Sequence, residues 1–357
     1  MKKQILAVAV AGAFALPAFA AADSSVTLFG QLQTQIVHHS GGSSDFDSGV
    51  RVHDAGGAGW IADGNGPNRI GVNVNHDLGN GLNAIMKWEE DVQTGSGGIT
   101  AGSRDLYVGL SGDFGRVLLG RQSLPYNTAG KDPLNGTFMQ ARGNGARLGT
   151  GGGIGGLGNG SYLDRVVSYG NSFGIVSLNV AVATDNGDVA GNTDSGEQAY
   201  SARLNFDLNP VELYIAHTNG DDFLAQDTDF RASKIGVDWS TGPFRVVAEV
   251  EDYKWETDDG FTVRDATGGF VSGVYTMGRN DFVLSLGHTR SSADAGDGNT
   301  DFAALGIKHN FSNRVMAFAG VSYTSHDDDV PFGRPGDAGG IGGNSYTGVG
   351  GGMRVSF

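Results

Sequence analysis

The sequence has 357 residues, a formal net charge of −15, 61 glycines, 8 prolines and no cysteine. Such acidity disfavours a nucleic-acid partner, which would select a basic surface, and without cysteine an exported chain has no disulfides to hold it. Hydrophobic residues make up 39% and recur in a pattern, which is too much ordered apolar content for a disordered glycine-rich chain.

In chain order, residues 1–20 come first. They read MKKQILAVAVAGAFALPAFA, with Lys2 and Lys3 before the apolar run Ile5 to Leu16 and small residues at Ala18 and Ala20. This is the charge, apolar core and A-x-A end of a secretory signal peptide, and it is shorter than the roughly 20 residues of a membrane helix. The expected domains are therefore a signal peptide, 1–20, and one mature unit, 21–357. Past Asp23 no run reaches the roughly 18 apolar residues that a membrane helix needs, so the exported chain is either soluble or crosses lipid as a closed ring of strands.

The next segment, Val26 to His38, alternates. Val26, Leu28, Leu32 and Ile36 share one face, and Gln31, Gln33 and Gln35 the other. Alternating runs follow near 68–77, 82–92, 104–112, 116–122, 165–173, 175–184, 197–207, 211–219, 231–240, 244–255, 266–276, 281–290, 300–310, 314–325 and 345–357. Short turns rich in Gly, Asn and Asp join them at 77–82, 111–116, 171–175, 207–211, 240–244, 276–280 and 310–314. Longer polar connections lie between, at 40–67, 93–103, 123–163, 185–196, 220–230, 256–264, 291–299 and 326–344. Alternation alone also fits a soluble sandwich. Tight turns taking turns with long loops is the asymmetry of a membrane barrel. The expected fold is all-β: a transmembrane antiparallel β-barrel of about 16 strands, wide enough to enclose water. Aromatic residues near strand ends, such as Trp88, Trp239, Phe244, Phe282 and Tyr323, suit the lipid headgroup level. The final run closes on Phe357 in phase with Val349, Met353 and Val355.

Several stretches resemble a known family, the trimeric general porins of proteobacterial outer membranes. SSVTLFGQLQ is similar to that family's opening strand, and RDLYVGLSGDFGRVLLGRQ (104–122) to its fourth strand, second turn and fifth strand. VVSYGNSFG (166–174) looks like the strand after its third loop, and GMRVSF like its assembly signal. The resemblance implies a channel for passive diffusion of ions and small hydrophilic solutes in the outer membrane of a Gram-negative bacterium. It also implies a homotrimer, contact with outer-membrane lipid, and recognition by the barrel assembly machinery through Phe357. The third long loop, 123–163, would then fold inward and narrow the lumen.

Strand phase assigns Arg69, Lys87, Arg121, Arg203, Lys234, Arg245, Lys308 and Arg354 to the lumen, with Glu89, Asp105, Glu212, Asp238, Glu249 and Glu251. The third loop adds Lys131, Asp132, Arg142 and Arg147, with Asp164 at its end, and Arg165 has ambiguous phase. For any one of these the plainer alternative is a solvated charge at a strand end. The glycine-rich stretch 143–161 departs from the acidic, aromatic loop tip of the family, and Ser168 stands where relatives often carry a basic residue. Acid concentrated at Asp221, Asp222, Asp227, Asp229, Asp258, Asp259 and Asp327 to Asp329 fits solubility or divalent-cation bridging. No cofactor or metal is expected. Three other functions are open: a solute-specific porin, a barrel hydrolase and a calcium solenoid. The scattered histidines and the absence of an H-E-x-x-H motif weigh against the second, and the lack of a fixed G-G-x-G-x-D period against the third.

Overall fold

Sixteen long strands close into one antiparallel ring, which the computed structural model describes over residues 24–41, 48–54, 67–95, 97–100, 104–148, 157–159, 162–184, 198–223, 227–294, 296–327 and 345–357. The expected signal peptide, Asp328 and Asp329 lie outside the described residues. In chain order the strands are β1 (Ser24–Gly41), β2 (Gly49–His53), β3 (Arg69–Gly79), β4 (Leu82–Gln93), β5 (Gly98–Thr100), β6 (Leu106–Gly112), β7 (Gly115–Gln122), β8 (Leu163–Phe173) and β9 (Val176–Thr184). There follow β10 (Gln198–Asp207), β11 (Val211–Asp221), β12 (Thr228–Thr241), β13 (Phe244–Thr257), β14 (Thr262–Met277), β15 (Asn280–Ala293), β16 (Gly296–Ser312), β17 (Val315–His326) and β18 (Ser345–Ser356). Neighbours in sequence pair throughout, save that β2 and β5 are short additions at the long-loop rim, where β1 pairs with β2 and β4 with β5. The ring shuts where β1 pairs with β3 on one side and β18 on the other. At that seam Phe357 N donates to Gly30 O (3.0 Å) and Gly30 N to Phe357 O (3.2 Å). No edge is left for lipid, which would not solvate it.

Seven tight turns define one rim. At the first, Asn80 and Gly81 both have positive φ (52° and 77°), the signature of a two-residue hairpin whose twist matches its strands. At the other rim the strands run further than the apolar pattern does. β15 and β16 reach Ala293 and begin at Gly296, so the expected loop 291–299 is a hairpin, and β2 and β5 lie inside the expected loops 40–67 and 93–103. Above the hydrocarbon the backbone ladder still pairs, whereas outward side chains such as Ser292 and Asp297 need no longer be apolar, so alternation fades before the strand does.

Exposure is inverted relative to a soluble protein. Val26 is 70% exposed and Ile36 56%, whereas Gln33 and Gln35 on the opposite face are 1% exposed. The apolar face is the one lipid covers. Near the tight-turn rim Tyr275 sits between Phe244 and Phe282 with ring centroids 5.2 and 6.5 Å away, an aromatic patch suited to the lipid–water boundary. Buried apolar packing is found inside the ring. There Leu124, Tyr126 and Leu157 meet Ala199, Tyr214 and Phe230, and Leu134, Phe138 and Met139 meet Val37, Phe302 and Phe318.

Candidate functional site

The long connection between β7 and β8 supplies the loop side of that interior packing, and its hydrogen bonds run to inward-facing side chains around the wall. Tyr126 N donates to Ser201 Oγ on β10 (2.9 Å). Lys131 pairs with Glu212 on β11. Lys308 Nζ on β16 donates to Pro133 O (3.1 Å) and Arg354 Nη2 on β18 to Asn135 O (3.3 Å). On β1, Gln33 donates to Gly136 O and Gln35 Oε1 accepts from Phe138 N (3.1 Å). The chain then returns: Thr324 on β17 donates to Asn144 Oδ1 (2.9 Å) and Thr289 on β15 to Gly145 O (2.7 Å). Local turns stiffen the course. Asp132, buried, accepts from Leu134 N (2.8 Å) and Ala141 N (2.7 Å), and burial raises its carboxyl above the usual range.

The return ends in a buried charge network. Arg147 Nε lies 2.6 Å from Glu249 Oε1 on β13, and Lys234 on β12 lies 3.7 Å from Glu249 and 3.3 Å from Glu251. Tyr126 and Tyr214 hydroxyls donate to Glu251 and Glu249, each at 2.7 Å, and Asn159 Nδ2 donates to Glu251 (2.7 Å). Lys234 also sits 3.9 Å from the Tyr126 ring centroid. Two acids and two bases with their remaining hydrogen bonds filled is the condition under which buried charge is tolerated. Burial opposes the Arg147 charge, but the Glu249 and Glu251 carboxylates outweigh it and hold the guanidinium above its usual value.

A second cluster lies on β3, β4 and the start of β6. Lys87 Nζ bridges Glu89 and Asp105 at 2.6 Å each, Arg104 pairs with Glu89 and with Asp91 (2.7 Å), and Arg69 stands 3.9 Å from Glu89. Tyr162 faces the Arg104 guanidinium at 5.2 Å, and burial lifts its hydroxyl to about 12. In the expected run 104–112 Arg104 is out of phase with the lumen residue Asp105, but β6 begins only at Leu106, so strand alternation does not govern these two residues and both join the cluster. Arg121 lies where the pairing of β7 with β8 shifts register, so period-2 phase does not apply to it; its guanidinium pairs with Asp164 at 2.8 Å. Arg165 has φ 55°, a left-handed backbone at the same irregularity, and is exposed.

Of the remaining expected positions, Arg245 chelates Asp238 through two bonds of 2.8 Å, and Arg203 Nη1 donates to Thr128 O (2.8 Å) and Oγ1 (2.9 Å). Arg142 Nη1 donates to Asn159 O (3.3 Å); burial first, then the Arg147 charge, depress it to about 10, so it is charged at neutral pH. Among the described residues no carboxylate lies in ion-pair range of Arg116, Arg142, Arg203 or Arg354, whereas Glu89, Asp105, Glu212, Asp238, Glu249 and Glu251 all have cationic partners. Arg116, hidden in a segment that reads as a turn, is, like Arg104, a cation the sequence did not single out. Residues 170–174 spell a G-x-S-x-G pattern, but they form a hairpin in which Ser172 Oγ meets Ser177 Oγ (2.9 Å) at an exposed strand end.

A family model described as Gram-negative porin matches residues 7–329. Across the full length of both chains the sequence is 27% identical to outer membrane porin protein 32 of Delftia acidovorans. Over 127 residues, 34% of each chain, it is 34% identical to the major outer membrane protein P.IB of Neisseria meningitidis serogroup A. Among solved structures the anion-selective porin from Comamonas acidovorans superposes with a TM-score of 0.74 at 23% identity, covering 94% of this chain and all of that one. The trimer form of OmpT from Vibrio cholerae gives 0.67 at 13% identity, covering 94% of this chain and 99% of that one.

Proposed function

Since the chain belongs to the Gram-negative porin family and forms a diffusion channel of the outer membrane, we propose that its lumen prefers small anions and that the third loop, 123–163, is the constriction. The observation carrying this is the imbalance of compensation. Every inward acid of the strand wall named above has a cationic partner within 4.0 Å, while Arg116, Arg142, Arg203 and Arg354 have no carboxylate partner among the described residues. A paired charge contributes little field a few ångströms away, whereas an unpaired guanidinium in a low-dielectric passage attracts anions and repels cations. The pore rim in this proposal comprises Arg69, Lys87, Glu89, Asp105 and Arg121 on the wall facing the loop. Lys131, Asp132, Arg142, Arg147, Asp164, Arg165 and Arg203 belong to the loop, its root and its supports. The name of the Comamonas relative, an anion-selective porin, agrees in sign. Reversal potentials across a planar bilayer under a KCl gradient test it: a chloride-favouring sign is expected, and a potassium-favouring sign at high salt would reverse the proposal.

Two further features belong to the same proposal. Three copies assemble, as in the trimer form of OmpT, and cross-linking in detergent should stop at a three-copy band. Phe357, whose ring lies against Gly30, serves as the recognition residue for barrel assembly. Phe357→Ser should then lower the amount of folded protein in the outer membrane without altering the conductance of the molecules that do fold.

A further inference from the structure

The glycine at position 273 is required by neither backbone nor packing. It pairs in register with Val246 on β13 and Leu284 on β15 and shares the outward face of β14 with Val271 and Tyr275. Its φ is not in the left-handed region, and a Cβ on it would meet nothing within 4 Å. Gly269, on the same face of the same strand, differs: a Cβ there would lie 2.3 Å from Glu249 O. A lipid-facing strand calls for an apolar side chain at 273, and glycine inside a strand weakens it, often where a ligand comes close. The missing side chain leaves a notch.

Around the notch the outer wall forms a groove of about 500 Å³ between Trp239, Phe244, Val246, Tyr275, Phe282 and Leu284, within the roughly 300–1,000 Å³ of small-molecule sites. It runs toward the tight-turn rim, where Phe244, Tyr275 and Phe282 stand in register across three strands. The rim below is basic. Arg279 lies in the turn between β14 and β15, six residues past Gly273. At about 3.4 Å per residue along strands tilted by about 40°, the two are at most roughly 15 Å apart in depth, half the thickness of the hydrocarbon. Arg279 Nη1 donates to Phe311 O (3.1 Å) and Arg279 O accepts from Asn310 N (2.8 Å), which ties this turn to the next one, where Arg314 sits. Among the described residues no carboxylate lies in ion-pair range of Arg279 or Arg314, and the neighbouring acid, Asp281, is already engaged. Its Oδ1 accepts from Thr276 Oγ1 (2.8 Å), and its Oδ2 accepts from Asn310 Nδ2 (3.2 Å) and lies 3.8 Å from Lys308 Nζ. The Arg279 guanidinium therefore keeps donors for an anion at headgroup level.

We infer that this groove is a binding site for one phospholipid of the periplasmic leaflet, with an acyl chain in the notch at Gly273 and the phosphate on Arg279. Tight turns of an outer-membrane barrel face the periplasm, which fixes the leaflet. The inference needs only that the ring stands in lipid; it is independent of the anion preference and of the constriction. A chain seated in the notch gains dispersion contacts on its flanks from Trp239, Val246 and Leu284 as well as from the wall behind it, and the guanidinium adds charge-assisted hydrogen bonds to the phosphate oxygens. Ordinary boundary lipid on a wall of even height has neither.

Native mass spectrometry of the detergent-solubilised channel, titrated with palmitoyl-oleoyl phosphatidylglycerol, tests this. The unaltered protein should take up one lipid per chain before further copies bind. Gly273→Leu, which fills the notch, and Arg279→Gln, which removes the headgroup contact, should each raise the half-saturating lipid concentration about tenfold, for the arginine the equivalent of one charge-assisted contact. Val108→Leu, on the apolar wall at β6 and 57% exposed, should leave it unmoved. Dioleoylglycerol, which has no phosphate, should bind the unaltered protein and Arg279→Gln alike, and Gly273→Leu more weakly. Uptake that does not saturate at one per chain, or equal affinity in all four proteins, would reduce the groove to boundary contact and overturn the site. Loss of the three-copy band in Gly273→Leu alone would mean that a second copy of the chain covers the notch, which overturns it as well. KCl current should persist in every variant because the groove lies outside the lumen, so failure of the lipid site leaves the channel function standing. Heat-modifiable gel migration of each variant reports whether its barrel closed.

Discussion

The two sides of the lumen use charge in opposite ways. Where the loop meets β12 and β13, Arg147, Lys234, Glu249 and Glu251 are buried and mutually satisfied, with Tyr126, Tyr214 and Asn159 filling the remaining oxygens. On β7 to β10, Arg116 and Arg203 stand over a recess whose carboxylate, Asp105, is paired with Lys87 and not with them. The first arrangement acts as mechanical fastening and projects little field. The second fastens the loop only through Arg203 to Thr128 and leaves its field for the passing solute. Charge in a pore is therefore not one property, and a count of lumen residues mixes the two.

The largest expected effect breaks the fastened side. Glu249→Gln leaves Arg147 and Lys234 without one of their acids, and removing one partner of a buried pair typically costs about 3–5 kcal/mol. The ring itself should survive, since its ladders do not involve that side chain. Limited proteolysis within 123–148 should become fast, and single-channel current should become noisier. If cleavage stays as slow as in the unaltered protein, the network is not what holds the loop. Next comes Tyr126→Phe, which deletes one bond to a carboxylate and should weaken the same attachment by about 1.5–3 kcal/mol, seen as intermediate protease sensitivity.

Crossing to the open side reverses the pattern. Arg116→Gln should reduce the chloride-to-potassium permeability ratio roughly two- to fivefold and leave protease resistance and thermal unfolding in detergent unchanged. A loss of stability there would erase the distinction between the two walls. The smallest effect belongs to the rim. Asp258 is held above the ordinary carboxylate range by desolvation and by the charges of Asp222, Asp227, Asp221 and Asp259. Because the pKa is raised, that carboxylate takes up its proton earlier as pH falls, and cation enrichment at the mouth should begin to decline at a higher pH than an isolated aspartate would give. The change should be visible only at low salt, where screening extends over tens of ångströms, and Asp258→Asn should flatten it.

The ring was legible in the sequence because a lipid-facing strand must alternate and a tight hairpin must use Asn, Asp or Gly. Asn80–Gly81 and the run Val26 to Ile36 carry both signals locally. Strand length was less legible, since the continuation of β15 and β16 above the bilayer leaves no apolar trace. Phase picked out Glu249, Glu251 and Lys234, yet gave no indication that they would bind the loop and not the solute; that depends on Tyr126 and Arg147, more than 100 positions away. Arg104 and Arg116 were missed for a common reason. Each sits at the border of a strand, where a turn signal or a break in alternation hides which way the side chain faces.

The seam between β1 and β18 sets an order of events for the whole molecule. Gly30 bonds Phe357 through both its N–H and its carbonyl, so the hydrogen-bond circle cannot be completed until the remotest parts of the polypeptide meet. Contacts so distant in sequence make assembly slow. Until the two ends meet, both terminal strands carry unpaired backbone along one side, so closure of this single seam is the step on which residence of the whole ring in hydrocarbon depends.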